Sequence, residues 1–275
     1  MSVPPRSIAP RPASIAPTAF WQEMCTTDFA RVDADRTIAL LPVAAIEQHG
    51  PHLPLSTDAV INDGIVRLAL QRLPPDSSVL VLPAQNIGDS LEHTAFKGTL
   101  SVDLQALLGA WLSIGHSVAR AGVRKLVIFN SHGGQRAHVD QVALRLRVEC
   151  SMLVVRAHSF LMGVPPGLFD DDELAHGLHG GAVETSLMLH LRPDLVRHDA
   201  LTDFPSAART RFGPGGALGF EGAAGSLGWM MQDVNPDGAC GNAAAASAEK
   251  GERLLDHLAA RLVALLGEMA RHPPP

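Results

Sequence analysis

The chain has 275 residues, 46% of them hydrophobic and 18% charged, enough to bury one large α/β core or two smaller ones. Its formal net charge is −6 and no basic run interrupts the mixed pattern, so neither nucleic acid nor a membrane surface is expected as a partner. Cys25, Cys150 and Cys240 lie far apart and form no C-x-x-C pair, which points to a reduced, cytoplasmic protein.

The opening stretch, MSVPPRSIAPRPASIAPTAF, has no uninterrupted apolar core and so does not resemble a signal peptide. Prolines from Pro4 to Pro17 would break an amphipathic transit helix. Residues 1–18 are expected to form a flexible proline-rich tail, an arm over a neighbouring subunit, and residues 19–275 a single domain. No apolar segment is long enough to span a bilayer.

Short β-rich runs then alternate with longer helical patterns. Thr37–Val43, Val79–Pro83, Lys125–Asn130 and Met152–Ala157 read as strands buried on both faces. Val60–Leu73, Asp103–Ala121 and Arg136–Glu149 carry apolar residues at helical spacing. A further helix is expected near Gly181, and a long one over about Ala243–Ala270 with Asn242 as its N-cap. This alternation predicts right-handed crossovers and a compact three-layer α/β/α fold with a largely parallel central sheet. Residues 204–241, rich in Gly, Ala and Pro, match no phosphate loop; they read as irregular connection or subunit contact, or as a mobile lid.

Ligand-type residues follow the carboxyl ends of the predicted strands. Glu47, His49 and Asp58 follow the first; Ser90, Glu92 and His93 the second; Asn130, Ser131 and His132 the third. In an open parallel sheet those ends meet at one edge, where ligand crevices form. Glu47 and His49, two apart, share one side of an extended segment. Asp58, at a helix start, suits either the helix dipole or a metal. A mixed oxygen and nitrogen set of this kind suits Zn, Mn or Fe. His132 is followed by two glycines that let backbone approach a ligand, while Asn130 and Ser131 read as binding loop backbone, or as orienting a ligand. Glu92 and His93 read as loop structure, or as supports and substrate contacts. His179 precedes Glu184 by five residues across a Gly-Gly, with His176 as a competitor for its role.

EQHGPHLPLSTD, LEHTAFKGTLS, FNSHGGQ, HGGAVETSLMLHLRPDLV and AEKGERLLDHLAARL occur in the order and approximate spacing of the creatininase (creatinine amidohydrolase) family, which the chain resembles over most of residues 37–265. The resemblance implies a two-metal amidohydrolase assembled as a homo-oligomer, usually a hexamer built from dimers. By motif, Glu47 and His132 would hold one metal, His49 the other, and Asp58 both. Glu184 would complete the second site, and His179 would match the family's catalytic histidine. Creatininase itself carries Tyr and then a metal-ligating Glu after the strand-end histidine, where this chain has Gly133 and Gly134. That makes Glu184 the expected substitute. The chain has no tyrosine at all, which argues against strict creatinine hydrolysis.

The expected chemistry is hydrolysis of a cyclic amide, a formamide or a related small amide. Two divalent ions, Zn, Mn or Fe, about 3.5–4 Å apart would share a bridging water and lower its pKa. His179, expected to titrate near neutrality, would protonate the leaving nitrogen. The alternatives are a creatininase-like peptidase acting on a modified peptide, or a non-hydrolytic metal-dependent lyase, isomerase or binding protein. A nucleotide-binding protein is disfavoured by the missing phosphate loop.

Overall fold

The computed structural model describes residues 19–212 and 216–275. The tail expected over residues 1–18 lies outside the described residues. Four parallel strands form the central sheet: β1 (Ile38–Val43), β2 (Val79–Val81), β3 (Lys125–Asn130) and β4 (Leu153–His158), in spatial order β2-β1-β3-β4. Ile38 pairs with Lys125 and Val43 with Asn130, so β1 and β3 end level with each other.

Alternation along the strands makes two apolar faces from one sheet. Ala39, Leu41, Val43, Leu126 and Ile128 face α2 (Leu104–Arg120) and α3 (Arg136–Cys150), where Trp111 and Leu146 fill the layer. Ile38, Leu40, Val127 and Phe129 face the other way, onto α1 (Thr57–Arg72), α5 (Ala182–Leu191) and α8 (Ala248–Arg271). This is the three-layer arrangement expected. Among the described residues, no helix is long and apolar enough to cross a membrane.

Shorter pieces connect these elements. The helical turn α4 (Asp171–His176) precedes α5. Residues 203–242 contain β5 (Asp203–Phe204), α6 (Ala208–Arg211), β6 (Leu218–Gly219), β7 (Gly225–Ser226), α7 (Met231–Val234) and β8 (Gly241–Asn242). This segment has a small core of its own, Phe220, Met231, Val234 and Cys240, against which Phe96 and Trp229 pack.

Helix starts depart from expectation at two places. The first helix begins at Thr57, so Asp58 lies inside its first turn. The last begins at Ala248: Ser247 is its N-cap, accepting the Lys250 N–H, while Asn242 precedes a separate 3-10 turn and makes no capping bond. The alanine run at 243–246 carries helix propensity on its own, but a tertiary turn overrides it.

Gly251 sits where α8 crosses α5, and a Cβ there would fall on the carbonyl oxygen of Ser186. In a free helix Ala would stabilise this position relative to Gly; here the sign inverts. We predict that Gly251→Ala lowers unfolding free energy by about 1–3 kcal/mol, read as a lower urea midpoint at unchanged m-value.

Candidate metal centre

The carboxyl ends of β1, β2 and β3 feed three loops that converge at one edge, joined by the segment entering α5. The loop after β1 is fixed by backbone bonds from Glu47 N–H to Leu55 O (2.9 Å) and from Leu100 N–H to Ile46 O (2.9 Å). Asn62 on α1 donates to Val43 O, Phe129 O and Ser131 Oγ, each at 3.1 Å, which ties the ends of β1 and β3 together. Ser131 Oγ donates to Asp58 O, and Asn130 braces His132 on both sides of its backbone.

Glu47, His49, Asp58 and His132 come together fully buried, and Glu184 joins them with a quarter of its side chain exposed. The cluster therefore opens on the Glu184 side. His132 Nδ1 lies 3.1 Å from Glu47 Oε1 and 3.4 Å from Asp58 Oδ2. His49 Nε2 lies 3.4 Å from Asp58 Oδ1 and 3.9 Å from Glu184 Oε2. Each oxygen of Asp58 thus faces a different histidine. His179 is buried beside them, its ring 4.0 Å from that of His49. His176 is half-buried on α4 and pairs with Asp172, apart from the cluster.

Outer hydrogen bonds choose which ring nitrogen faces inward. His49 Nδ1–H donates to Glu47 O (3.0 Å), leaving Nε2 toward the carboxylates. His132 Nε2–H donates to Asp89 O (2.9 Å), leaving Nδ1 inward. Such bonds are the usual means of orienting imidazole ligands.

Without cations, protons do the balancing. Burial alone would lower the His49 pKa, but the close approach and charge of Asp58, with Glu184 and Glu47, raise it to about 9. His132 is also held well above its usual range, since Glu47 and Asp58 overcome its burial. Asp58 is held well below the carboxylate range, because the close approach and charge of His132 and His49 outweigh burial. Burial raises the Glu184 carboxyl. His179 moves the other way: burial, then the neighbouring His49 charge, lowers it to about 4.

The donors fit divalent cations. Glu47 Oε2, His49 Nε2 and Asp58 Oδ2 are buried with no hydrogen-bond partner, an unfavourable condition that a bound cation would relieve. The ion-pair partners of Glu47, Asp58 and Glu184 are all histidines. Carboxylate oxygen with imidazole nitrogen is a donor set for Zn, Mn or Fe. A cavity of about 330 Å³ opens elsewhere, near the amino ends of β1 and β2, lined by residues such as Ile38, Val79, Leu266 and Arg271. It touches none of the His and carboxylate clusters.

One residue at the site was read mainly as loop structure, and two more had no sequence signal. His93 is buried and stacks on His179 with ring centroids 4.3 Å apart, more central than the loop role its position suggested. Gln48 contacts both His93 and His179. Glu173 of α4 is buried, accepting the Ala182 N–H (2.5 Å) and the Asn242 N–H (2.7 Å) and so holding the start of α5 in place.

The family model described as creatinine amidohydrolase matches residues 22–266. Creatinine amidohydrolase of Pseudomonas putida is 32% identical over 194 residues, 65% of this chain and 73% of that protein. The mycofactocin precursor peptide peptidase of Mycolicibacterium smegmatis is 31% identical over 220 residues, 79% of each chain. A solved structure titled as creatininase with Mn superposes with a TM-score of 0.75 at 27% identity, over 92% of this chain and 99% of that one. A mutant creatininase titled as a Zn-Zn type gives 0.74 at 27% identity over the same shares. With this fold and this match along nearly its whole length, the chain belongs to the creatininase family and is a hydrolase acting on carbon–nitrogen bonds.

Proposed function

We propose that the chain is a metal-dependent amidohydrolase that cleaves a non-standard C–N bond in a cyclic amide, a formamide or a related small amide. One observation carries this reading: Asp58 presents its two buried oxygens to two different histidines, with unpartnered Glu47 and His49 atoms beside them. Glu47, Asp58 and His132 would hold one divalent cation, and His49, Asp58 and Glu184 a second, as Zn, Mn or Fe. When bound, such a pair supplies a Lewis acid for the amide carbonyl and brings the pKa of water toward neutrality.

The protein's own contribution to proton transfer falls to His179. Its Nε2–H donates to Gln48 O (2.6 Å), which keeps Nδ1 free and on the Glu47 side, 3.9 Å from Oε1. Its lowered pKa makes it neutral at pH 7, so it begins as a proton acceptor, whereas a near-neutral imidazole was expected to begin as a donor. The proton taken from water is then returned to the leaving nitrogen, which departs poorly as an anion. Burial of the cluster on all sides but that of Glu184 limits competing water.

A second reading, a creatininase-like peptidase acting on a modified peptide, is supported by the peptidase relative matching 79% of each chain and by the absence of tyrosine. Self-association into a homo-oligomer, up to a hexamer, is supported by exposed apolar side chains such as Leu144 and Val148 of α3 and Phe160 and Leu161 after β4. A cytoplasmic location agrees with three unpaired cysteines.

We expect purified protein to hold two divalent ions per chain by elemental analysis, and to lose hydrolysis of a screened cyclic amide, formamide or modified dipeptide after chelation. Glu47→Ala and His132→Ala should lose metal and at least about 100-fold of activity; normal metal and full activity in both would refute the reading. His179→Ala should keep its metal while kcat falls by about 10²–10⁴-fold.

Metal affinity should also rise with pH. In the metal-free chain His49 is protonated below about 9, so a cation must displace that proton at neutral pH. Calorimetry in buffers of different ionisation enthalpy should show proton release at pH 7 that diminishes above about 9. Affinity should gain about tenfold per pH unit for each proton displaced.

A further inference from the structure

Glu47 Oε1 is surrounded by three imidazoles: His132 Nδ1 at 3.1 Å, His93 Nε2 at 3.5 Å and His179 Nδ1 at 3.9 Å. By distance alone, Glu47, His93 and His179 form a third cluster able to hold a cation. Which nitrogens carry protons decides whether they do. Gly50 N–H donates to Gln48 Oε1 (3.0 Å), which fixes the orientation of the Gln48 amide and leaves its NH₂ as the group 2.8 Å from His93 Nδ1. An NH₂ can only donate there, so Nδ1 of neutral His93 is the acceptor and Nε2 carries the hydrogen. His93 therefore presents an N–H to Glu47, not a lone pair.

The same residue sets the adjacent ring by a different atom. The backbone carbonyl of Gln48 accepts the His179 Nε2–H at 2.6 Å, leaving His179 Nδ1 unprotonated. Two stacked imidazoles thus aim unlike nitrogens at one carboxylate: a donor from His93 and an acceptor from His179. Gln48 is itself held, buried, with its backbone N–H donated to Thr99 Oγ1 (3.1 Å).

We propose that Gln48 is a positioning residue that fixes His93 as the Nε2–H tautomer, so that His93 turns an N–H toward Glu47, 3.5 Å away, and is not a metal ligand. The consequence for metal rests on the ligand role proposed above for Glu47; the tautomer assignment does not.

The test uses full-length protein labelled with ¹⁵N-histidine, observed by long-range ¹H–¹⁵N spectra in metal-free and zinc-loaded forms. His93→Ala and His179→Ala proteins assign the signals. Wild type should show His93 and His179 both protonated at Nε2. In Gln48→Glu, whose carboxylate only accepts, His93 should move its proton to Nδ1 or become doubly protonated, while His179, held by a backbone carbonyl, keeps its pattern. Zinc affinity should fall by about 10–100-fold at unchanged stoichiometry. Should Gln48→Glu fail to fold, Gln48→Met should show His93 as a mixture of tautomers. His93→Ala should retain wild-type zinc stoichiometry. A wild-type His93 protonated at Nδ1, or loss of one zinc per chain in His93→Ala, would overturn the proposal. Absence of amide hydrolysis with these spectra intact would sink the proposed reaction and leave the assignment standing.

Discussion

Asp58 is the group on which the arrangement depends. A buried carboxylate is costly unless each oxygen has a cationic or donor partner, and this one divides its oxygens between His49 and His132. In the metal-free chain protons on those imidazoles supply the charge. The signs follow directly. His49 rises from 6.5 to about 9 on folding, so its stabilisation is complete below about 6.5 and is lost as pH climbs through 9. The Asp58 pKa is depressed on folding, so its contribution is present above its ordinary value of 3.8 and is lost in acid. The metal-free fold is thus supported between those limits by the same pairs that a cation would have to break. Proton and metal are rivals for one set of atoms.

Holding such a set needs a stiff frame. β1 and β3 are paired along their full length, and Asn62 bonds to the carbonyls at both strand ends. The remaining part of the site comes from the segment entering α5, which lies outside the central sheet and is paired through His179 with Cys240. There Glu173 takes over: its carboxylate bonds to backbone N–H groups of Ala182 and Asn242, joining α4 to the start of α5 and to β8. Gly180 N–H in turn donates to Glu184 Oε2 at 2.6 Å. A second buried carboxylate thereby holds the turn that places the first-turn acid.

Much of this was legible in the sequence. Fully apolar runs marked β1 and β3, and polar residues immediately after them marked the edge at which Glu47, His49, Asp58 and His132 meet. Those signals are local, because burial on both faces leaves its pattern within six residues. The parts that stayed hidden are non-local. Gln48 and His179 are 131 positions apart, and nothing in EQHG announces that the residue between the two expected ligands will contact two other imidazoles, one by its side-chain amide and one by its backbone carbonyl. Glu173 sits in a run of acids, DDDE, that looks like a solvated helix start until the fold buries its last member. Asn242 had the right side chain for a cap but the wrong tertiary neighbours.

The Gly133-Gly134 pair leaves a space beside His132 that another side chain fills. A Cβ at Gly134 would fall on Glu92 Oε1, so the space beside His132 is already occupied by a carboxylate from the preceding loop. Glu92 Oε1 lies 3.7 Å from His132 Nε2, the nitrogen turned outward to Asp89 O, whereas Glu47 and Asp58 face Nδ1. The two sides of one imidazole ring therefore separate the roles. Glu92 stands on the Nε2 side of His132, opposite Glu47 and Asp58. The carboxylate that faces His49 Nε2 together with Asp58 is Glu184, and it comes from the helix that Glu173 secures. On this geometry, glycine at 134 leaves room for the Glu92 carboxylate beside His132, and the acid facing His49 comes from α5.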